Sequence, residues 1–301
     1  MEDCEPMRYM LNMSCKNLKV KGKSNKLVKP FLRWAGGKTR STTFLIDLLP
    51  SNFPSTGIYY EPFLGAGSLF FHIDPQKAIL SDNNKDLIGC YRAVQENPDL
   101  ISKCLNQHLA KTCEEYYYKM RHEYNHTKPS ISKAALFIYL NKTCFNGIWR
   151  VNKKGEFNVP YGFKEPPYLP SKEDLRKTSL ALSNANLLHK DYIEAVKDAK
   201  KGDFVYFDPP YPPLNGTSYF THYTKERFTK EDHDKLAILA KELTKIDCRV
   251  LISNADIPFI RSLYEEFFNI CEIKVTRWIR ADGKRYKVRE LAITNYDVKN
   301  E

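Results

Sequence analysis

The feature that most constrains the fold of this chain is a short apolar run that ends in two consecutive prolines. The run Phe204–Phe207 is a candidate buried β-strand, and Asp208-Pro209-Pro210-Tyr211 follows it directly. Because proline cannot donate to a β-ladder, the strand cannot continue and the chain must turn. We therefore expect Asp208 and Tyr211 to project from the carboxyl end of a strand, where open α/β sheets bind their ligands.

The acid–proline–proline–tyrosine turn has the chemistry to hold a flat base that carries an exocyclic amine. Such an amine is a poor nucleophile because its lone pair is delocalised into the ring. The Asp208 carboxylate and a backbone carbonyl near Pro209 would each accept a hydrogen bond from one N–H of the amine and so localise the lone pair on its nitrogen. Tyr211 would stack on the base. The alternative is an acidic turn beside a half-buried tyrosine, and these four residues alone leave it open.

Charge and cysteine spacing narrow the class of protein. The 301 residues carry a formal charge of +11, which favours a polyanionic partner, although solvated surface lysines would give the same balance. The cysteines form no C-x-x-C pair, so neither a zinc site nor a secreted disulfide scaffold is indicated. No apolar run reaches the roughly 18 residues of a membrane helix, and no signal peptide is visible. We expect a cytoplasmic protein, or one inside a host cell if viral, that is not secreted.

A strand–turn–helix unit lies near the beginning of the predicted sheet. A strand leads into the glycine turn Gly65-Ala66-Gly67, and a helix is predicted over Ser68–Ile73, as in the first βα turn of a Rossmann-like sheet. Phe70 replaces the third glycine of the dinucleotide fingerprint, so a bound pyrophosphate is not implied. The next strand ends at Asp82, placed to accept hydrogen bonds from ribose hydroxyls; a helix N-cap is the alternative.

The segment before this unit begins the ordered part of the chain. Gly37-Lys38-Thr39 is not a nucleotide-triphosphate loop, because leucine stands where that motif needs its first glycine. A helix is predicted over Lys38–Leu49, with Trp34 near its start and core packing as the alternative role of that ring. Residues 1–29 are rich in lysine without a period, which indicates a flexible basic extension; a phosphate-contacting arm is the alternative.

The α/β pattern is interrupted between residues 84 and 170. Four helices are predicted there, over Leu87–Val94, Leu100–Leu109, Cys113–Tyr124 and Lys133–Leu140. In the turn-rich block that follows, residues 151–157 have the pattern of a β-hairpin with a Lys-Lys-Gly tip. The hairpin and its neighbours suit groove recognition and base displacement, and a purely structural hairpin with exposed lysines is equally compatible. The side chains in question are Phe145, Asn146, Trp149 and Arg150.

After Pro170 the α/β pattern returns. Strands are predicted over 187–189, 204–207 and 249–253, with a helix over 231–244 and a terminal antiparallel pair over 271–276 and 288–294. The predicted fold is therefore α/β, a Rossmann-like sheet with an inserted, mainly helical domain that carries a β-hairpin. The predicted boundaries are an extension at 1–29, a catalytic domain at 30–83 and 171–301, and an insert at 84–170.

Five separated blocks resemble the Dam-type adenine-N6 DNA methyltransferases, in the family's α-type order. They are FLRWAGGK (31–38), EPFLGAGS (61–68), SDNNKDLI (81–88), FNGIWRVNKKGEFNVPYG (145–162) and FDPPY (207–211). The resemblance runs from about Phe31 to Tyr296. It implies an S-adenosylmethionine-dependent methyltransferase sheet whose insert is a DNA target-recognition domain.

The resemblance also implies roles for individual residues. The S-adenosylmethionine site would contain Trp34, Lys38, Phe63, Asp82, Asp191 and Asp208, with Tyr192 near the cofactor adenine. The flipped adenine would be held by Asp208, Pro209, Pro210 and Tyr211. The DNA contacts would be Phe145 and Asn146, where the base leaves the stack, and Arg33, Ile148, Arg150 and Pro160, where a GATC-like site is recognised. Ile148 and Trp149 replace the leucine and the small residue common in bacterial relatives.

The implied activity is transfer of a methyl group from S-adenosylmethionine to N6 of a flipped adenine in double-stranded DNA. The resemblance implies no metal, membrane or obligatory protein partner, and it leaves restriction–modification, repair marking and viral self-labelling open as roles. Two other classes remain: methylation of a different amine (cytosine N4, RNA adenine or glutamine), and a DNA-binding protein without catalysis. The acid of the motif argues against glutamine, for which asparagine is usual. The intact Asp208, Lys38 and glycine turn argue against lost catalysis.

Overall fold

The computed structural model describes residues 28–34, 36, 42–50, 53, 57–163, 168–212, 228–278 and 285–298, with backbone alone for 274–278 and 285–288. Seven strands within these residues form one sheet, in the spatial order β3-β2-β1-β4-β5-β7-β6. The strands are β1 (Tyr59–Glu61), β2 (Ala78–Ser81), β3 (Ala185–Leu188), β4 (Phe204–Phe207), β5 (Arg249–Ala255), β6 (Asn269–Trp278) and β7 (Arg285–Thr294).

Helices cover both faces of this mixed α/β arrangement. They are α1 (Thr42–Asp47), α2 (Ser68–Ile73), α3 (Lys85–Glu96), α4 (Pro98–Leu109), α5 (Glu114–His126), α6 (Ile131–Thr143), α7 (Lys172–Leu182), α8 (Tyr192–Val196), α9 (Lys230–Lys245) and α10 (Pro258–Tyr264). In the part of the chain that the structure describes, no helix combines the length and the apolar character needed to cross a membrane.

The sheet changes its winding direction between β1 and β4. Strands β1 to β5 are parallel, and β7 lies antiparallel between β5 and β6. From β1 the chain moves outward in one direction to β2 and β3, then returns to place β4 on the other side of β1. Open α/β sheets bind ligands outside the carboxyl ends of the strands at such a reversal. The residues that follow β1, β2 and β4 are therefore the first candidates for a site.

The helices between β2 and β3 share the core of the sheet. Leu80 of β2, Leu87 of α3 and Leu136 of α6 belong to one buried cluster. Helix α6 is buried from Ala134 to Thr143, and the Ser130 side chain caps its start by accepting from Lys133 N–H. This packing fixes the segment after α6, which carries the predicted DNA contacts, against the sheet. The domain boundaries at 83/84 and 170/171 stay predictions.

Most of the predicted elements exist, with different ends. All four helices predicted between residues 84 and 170 form, and their ends differ from the predicted ends by at most three residues. The terminal antiparallel pair is confirmed as β6 and β7. Helix α1 ends at Asp47, while its predicted start at Lys38 lies outside the described residues, as do residues 1–27 of the predicted extension. The predicted hairpin is a tight turn closed by a single bridge between Val151 and Phe157.

Candidate active site and nucleic-acid interface

Asp82 follows β2 and fixes the glycine turn that follows β1. Its Oδ2 accepts from Gly65 N–H at 3.0 Å, and its Oδ1 accepts from Asn84 N–H at 2.9 Å. Burial raises the pKa of Asp82 to about 6, while these two backbone N–H groups act in the opposite direction. The N-cap alternative is wrong, because the Asn84 side chain caps α3 by accepting from Leu87 N–H at 3.0 Å.

The glycine turn also lies directly against Trp34. A Cβ on Gly65, whose φ is +48°, would lie 2.9 Å from Trp34 Cδ1. The Trp34 ring meanwhile stacks on Phe137 and Trp149, with ring centroids 6.3 and 6.2 Å away. Trp34 therefore packs against an aromatic core and borders the turn at the same time, so its two expected roles are compatible.

Phe63 presents an aromatic face close to the same turn. It is half-buried and stacks on Tyr192 with centroids 5.3 Å apart and ring planes 23° from parallel. Asp191 is exposed and caps α8, because its Oδ1 accepts from Ile193 N–H and Glu194 N–H, both at 2.9 Å. The structure thus gives Asp191 a helix-capping role and leaves its cofactor role a prediction. Lys38 lies outside the described residues.

Asp208 follows β4, as the sequence predicted, and lies beside a buried serine and a buried glutamate. Ser253 Oγ, on the neighbouring strand β5, donates to Asp208 Oδ1 at 2.6 Å. Glu61 at the end of β1 is 2% exposed and accepts from the Tyr59 hydroxyl at 2.8 Å. Burial raises the pKa of Glu61 to about 8, and the negative charge of Asp208 adds to the rise. Sequence analysis missed both Ser253 and Glu61 as site residues.

Tyr211, at the other end of the motif, is held by a buried carboxylate on β7. Its hydroxyl donates to Glu290 Oε2 at 3.1 Å, and Glu290 is 2% exposed on β7. Sequence analysis missed Glu290 as well. No local pattern singled it out, because β7 also contains Arg285, Lys287 and Arg289.

The predicted base-displacement residues lie on an exposed turn after α6. Phe145 is 50% exposed, and its N–H donates to Pro160 O at 2.9 Å. Asn146 is exposed with φ +54°, a left-handed conformation that asparagine tolerates better than most residues. Ile148 is 36% exposed on the same turn. The structure therefore brings four of the predicted DNA contacts into one surface patch: Phe145, Asn146, Ile148 and Pro160.

Arg33 joins this patch through its backbone. Arg33 N–H donates to Asn141 Oδ1 at 2.8 Å, and Asn141 Nδ2 donates back to Arg33 O at 2.6 Å. Gly147 has φ +64° and packs against the Arg33 side chain so closely that a Cβ would not fit. Asn141 is fully buried on α6, so the pairing anchors Arg33 next to the turn at 145–148.

The tight turn at 151–157 orients Arg150. Arg150 is exposed, and its Nε donates to Asn158 Oδ1 at 2.9 Å across the two arms. Asn152 Oδ1 closes the tip by accepting from Lys154 N–H and Glu156 N–H at 2.9 and 3.0 Å. Lys153 and Lys154 are exposed. Arg150 and the two tip lysines are thus three exposed cations within five residues of the chain.

Trp149 does not belong to the exposed surface, so of the two interpretations left open for the hairpin the structure favours a packing role for this residue. It is 2% exposed, and its ring centroid lies 3.9 Å from that of Phe137 and 4.3 Å from that of Phe157. Tyr124 meets it edge-on at 5.6 Å. We call these four stacked or edge-on rings the aromatic column. Because the column joins α5, α6 and the tight turn into one core, the Trp149 ring is shielded from solvent.

The sheet order and the position of the acid–proline–proline–tyrosine turn are consistent with the fold of S-adenosylmethionine-dependent methyltransferases. Comparison with known proteins defines the family. Residues 34–279 match the D12 class N6 adenine-specific DNA methyltransferases, and the chain belongs to that family. It is therefore an adenine-specific DNA methyltransferase that acts on DNA.

Curated relatives align over almost the whole chain. The Type II methyltransferase M1.LlaDCHI of Lactococcus lactis subsp. cremoris is 39% identical over 287 residues, covering 93% of this chain and 99% of the relative. The Type II methyltransferase M.MjaIII of Methanocaldococcus jannaschii is 40% identical over 290 residues, covering 89% and 99%. The DNA adenine methylase of Escherichia coli is 37% identical over 266 residues, covering 87% and 94%.

Proposed function

We propose that the protein transfers a methyl group from S-adenosylmethionine to N6 of a flipped adenine in double-stranded DNA, within a GATC-like site. The observation that carries the proposal is the position of Asp208 and Tyr211 at the end of β4, where the sheet reverses direction. The relative from Escherichia coli is named a DNA adenine methylase, which supports adenine as the target base. The protein would work wherever its DNA lies, in the cytoplasm or inside a host cell.

Asp208 and the carbonyl of Pro209 would orient the amine. A carboxylate and a carbonyl can each accept one of the two N6–H bonds, which draws the lone pair out of the ring system. Tyr211 would stack on the flipped base, and flipping costs a few kcal/mol that stacking and hydrogen bonding offset. Asp208 need not be a strong base, since the amine becomes acidic once it is methylated. Positioning and electrostatics would therefore be the main contributions of this chain.

The residues around the glycine turn fit S-adenosylmethionine. Asp82 offers a carboxylate at the end of β2 for ribose hydroxyls, and Phe63 offers an aromatic face for an adenine. Because Gly65 has no Cβ, the backbone of the glycine turn can lie directly against the Trp34 ring. When bound, the cofactor supplies the electrophilic methyl group. The two remaining residues proposed for its site are Lys38 and Asp191.

The helical insert, residues 84–170, would be the target-recognition domain. The patch of Arg33, Phe145, Asn146, Ile148 and Pro160 is exposed or half-buried and lies beside Arg150. An arginine can donate to O6 and N7 of one guanine, whereas lysines at a turn tip suit phosphates. Phe145 is an apolar ring held outward by the rigid turn after α6, a position suited to replace a base that has left the stack.

Nucleoside analysis tests the proposal directly. Duplex DNA is incubated with the protein and S-adenosylmethionine, digested to nucleosides and analysed by mass spectrometry. We expect N6-methyladenine, with incorporation lost for Asp208→Ala and retained for the surface control Glu173→Gln. N4-methylcytosine in place of N6-methyladenine would refute the adenine assignment. A folded Asp208→Ala protein with wild-type turnover would refute the role of the motif.

A further inference from the structure

A chain of buried hydroxyl groups lies behind Asp208. Ser253 Oγ is 2.6 Å from Asp208 Oδ1, and the Tyr206 hydroxyl is 3.0 Å from Ser253 Oγ. Ser253 is 2% exposed and Tyr206 is 1% exposed, so solvent does not compete for these bonds. The sequence did not indicate this series of hydrogen bonds, because Ser253 lies 45 positions from Asp208.

The direction of the hydrogen bonds follows from the number of protons. An ionised carboxylate only accepts, so the single Ser253 hydroxyl proton points to Asp208. Ser253 Oγ must then accept from Tyr206, which leaves one consistent arrangement of the three groups. Hydrogen bonds to an ionised acceptor are shorter and stronger than neutral ones, and the 2.6 Å distance agrees with that class.

Glu290 supports the other end of the motif from the same face of the sheet. Tyr206 of β4 pairs with Leu251, and Ala255 of β5 pairs with Glu290. Directly opposed residues point to one face, and so do residues two apart on a strand. Tyr206, Ser253 and Glu290 therefore share a face, and we call these three residues the support cluster. Its members hold Asp208 and Tyr211 at 2.6 and 3.1 Å.

We propose that the support cluster positions the side chains of Asp208 and Tyr211 for methyl transfer before DNA binds. The inference rests on the proposed function of these two residues. The two prolines restrict the backbone of the motif but leave the side-chain torsions of Asp208 and Tyr211 to be set by contacts. A displacement of the carboxylate by about 1 Å from the amine can slow the reaction by about 100-fold.

The decisive variant is Ser253→Ala, which removes the donor to Asp208 and keeps the strand. Single-turnover methyl transfer is measured with the enzyme in excess over a duplex with one GATC site, so that all the DNA is bound, and with saturating S-adenosylmethionine, because product release often limits steady-state rates. We expect the rate to fall about 10- to 100-fold, while the dissociation constants for DNA and cofactor change less than about threefold. Ser253→Thr, which keeps a hydroxyl, should recover most of the rate.

Further variants separate positioning from loss of stability. Tyr206→Phe should slow transfer less than Ser253→Ala, since Asp208 keeps its donor. Its matched control is Tyr264→Phe, another fully buried tyrosine whose hydroxyl has no partner among the described residues. Thr294→Val removes a buried hydroxyl that donates to Tyr296 O at 2.9 Å, away from the motif. Both controls should keep the wild-type rate, and melting temperatures are recorded for all variants.

The outcomes distinguish the inference from the proposed function. Asp208→Ala is assayed alongside: if it retains activity, the proposed role of the motif is refuted. If Asp208→Ala is inactive and a folded Ser253→Ala protein keeps the wild-type rate, only the support-cluster inference is overturned. The inference is also overturned if Ser253→Thr restores the melting temperature without the rate, or if Thr294→Val slows transfer as much as Ser253→Ala does.

Discussion

Glu61→Gln should remove a pH dependence of folding stability that the wild-type protein shows above pH 6.5. Glu61 is 2% exposed at the end of β1. Burial raises its pKa from 4.5 to about 8, with Asp208 adding to the rise and the Tyr59 hydroxyl opposing it. The folded state therefore binds this proton more tightly than the unfolded state, so the contribution of Glu61 to stability is greatest below pH 4.5 and falls as the pH rises towards 8.

The size of the effect follows from the two pKa values. Between them, the native state holds about one more proton than the unfolded state, which corresponds to about 1.4 kcal/mol per pH unit. From pH 6.5 to pH 8 the accumulated loss is about 1.7 kcal/mol, slightly less than the full slope would give, because the folded group is half-ionised at the upper limit. With an unfolding entropy of about 2 cal/mol/K per residue, the melting temperature should fall by roughly 3 °C.

The chosen window separates Glu61 from the other buried groups. Burial raises the pKa of Asp82 to about 6, so this carboxyl is largely ionised by pH 6.5. Burial lowers the pKa of His233 to about 4, so its contribution to stability rises with pH until the unfolded imidazole has lost its proton, slightly above pH 6.5. Burial lowers the pKa of Lys142 to about 8, and its contribution to stability rises with pH, the opposite sign. Comparison of wild type with Glu61→Gln at each pH cancels these contributions.

The assay is urea unfolding at half-unit steps from pH 6.5 to pH 8. Glu61→Gln is neutral throughout and still offers an oxygen to the Tyr59 hydroxyl, so its stability should vary little. Glu272→Gln, at an exposed glutamate paired with Arg261, is the matched control and should keep the wild-type slope. Parallel slopes for wild type and Glu61→Gln would refute the reasoning, since the titrating group would then lie elsewhere.

Three further predictions follow from the site. Asp82→Ala should weaken S-adenosylmethionine binding by about 1.5–3 kcal/mol in calorimetric titration, because a charged acceptor is lost; unchanged affinity would leave Asp82 only its bonds to the glycine turn. Arg150→Ala should relax selectivity at one guanine of a GATC-like site by about 1–3 kcal/mol, measured as methylation of the site and its single-base variants. Lys153→Ala with Lys154→Ala should instead weaken binding to all sequences alike and reduce the dependence of binding on salt concentration. If Arg150→Ala slows methylation of every single-base variant equally, Arg150 is a phosphate contact. Trp149→Ala should cost about 3–5 kcal/mol of unfolding free energy in urea, and a loss below about 1 kcal/mol would contradict its place in the aromatic column.

Local patterns were sufficient to predict much of the sheet and the insert. Strand β4 was predictable because four apolar residues end at two prolines, and α6 because its apolar residues are continuous. Helix ends were less accurate, because the caps that set them depend on side-chain bonds such as Ser130 to Lys133 N–H. Helices α7, α8 and α10 were not predicted.

The residues that sequence analysis missed depend on contacts between distant strands. Ser253 and Glu290 reach the motif only because β5 lies beside β4 and β7 lies beside β5, an order that no local pattern reveals. The role of Trp149 was left open for the same reason. Its immediate neighbours Ile148 and Arg150 are exposed, whereas Phe137 and Phe157, which cover its ring, come from α6 and the far arm of the turn.

The bond between Tyr211 and Glu290 has a consequence for the timing of protein synthesis. The two residues are 79 positions apart, and β7 takes its place in the sheet between two other strands. At about 5–20 residues per second, a ribosome needs roughly 4–16 s to proceed from one to the other. During that interval the nascent chain already contains the motif but not the carboxylate that holds its tyrosine. The tyrosine would therefore gain this hydrogen-bond partner only when almost the whole chain has been made.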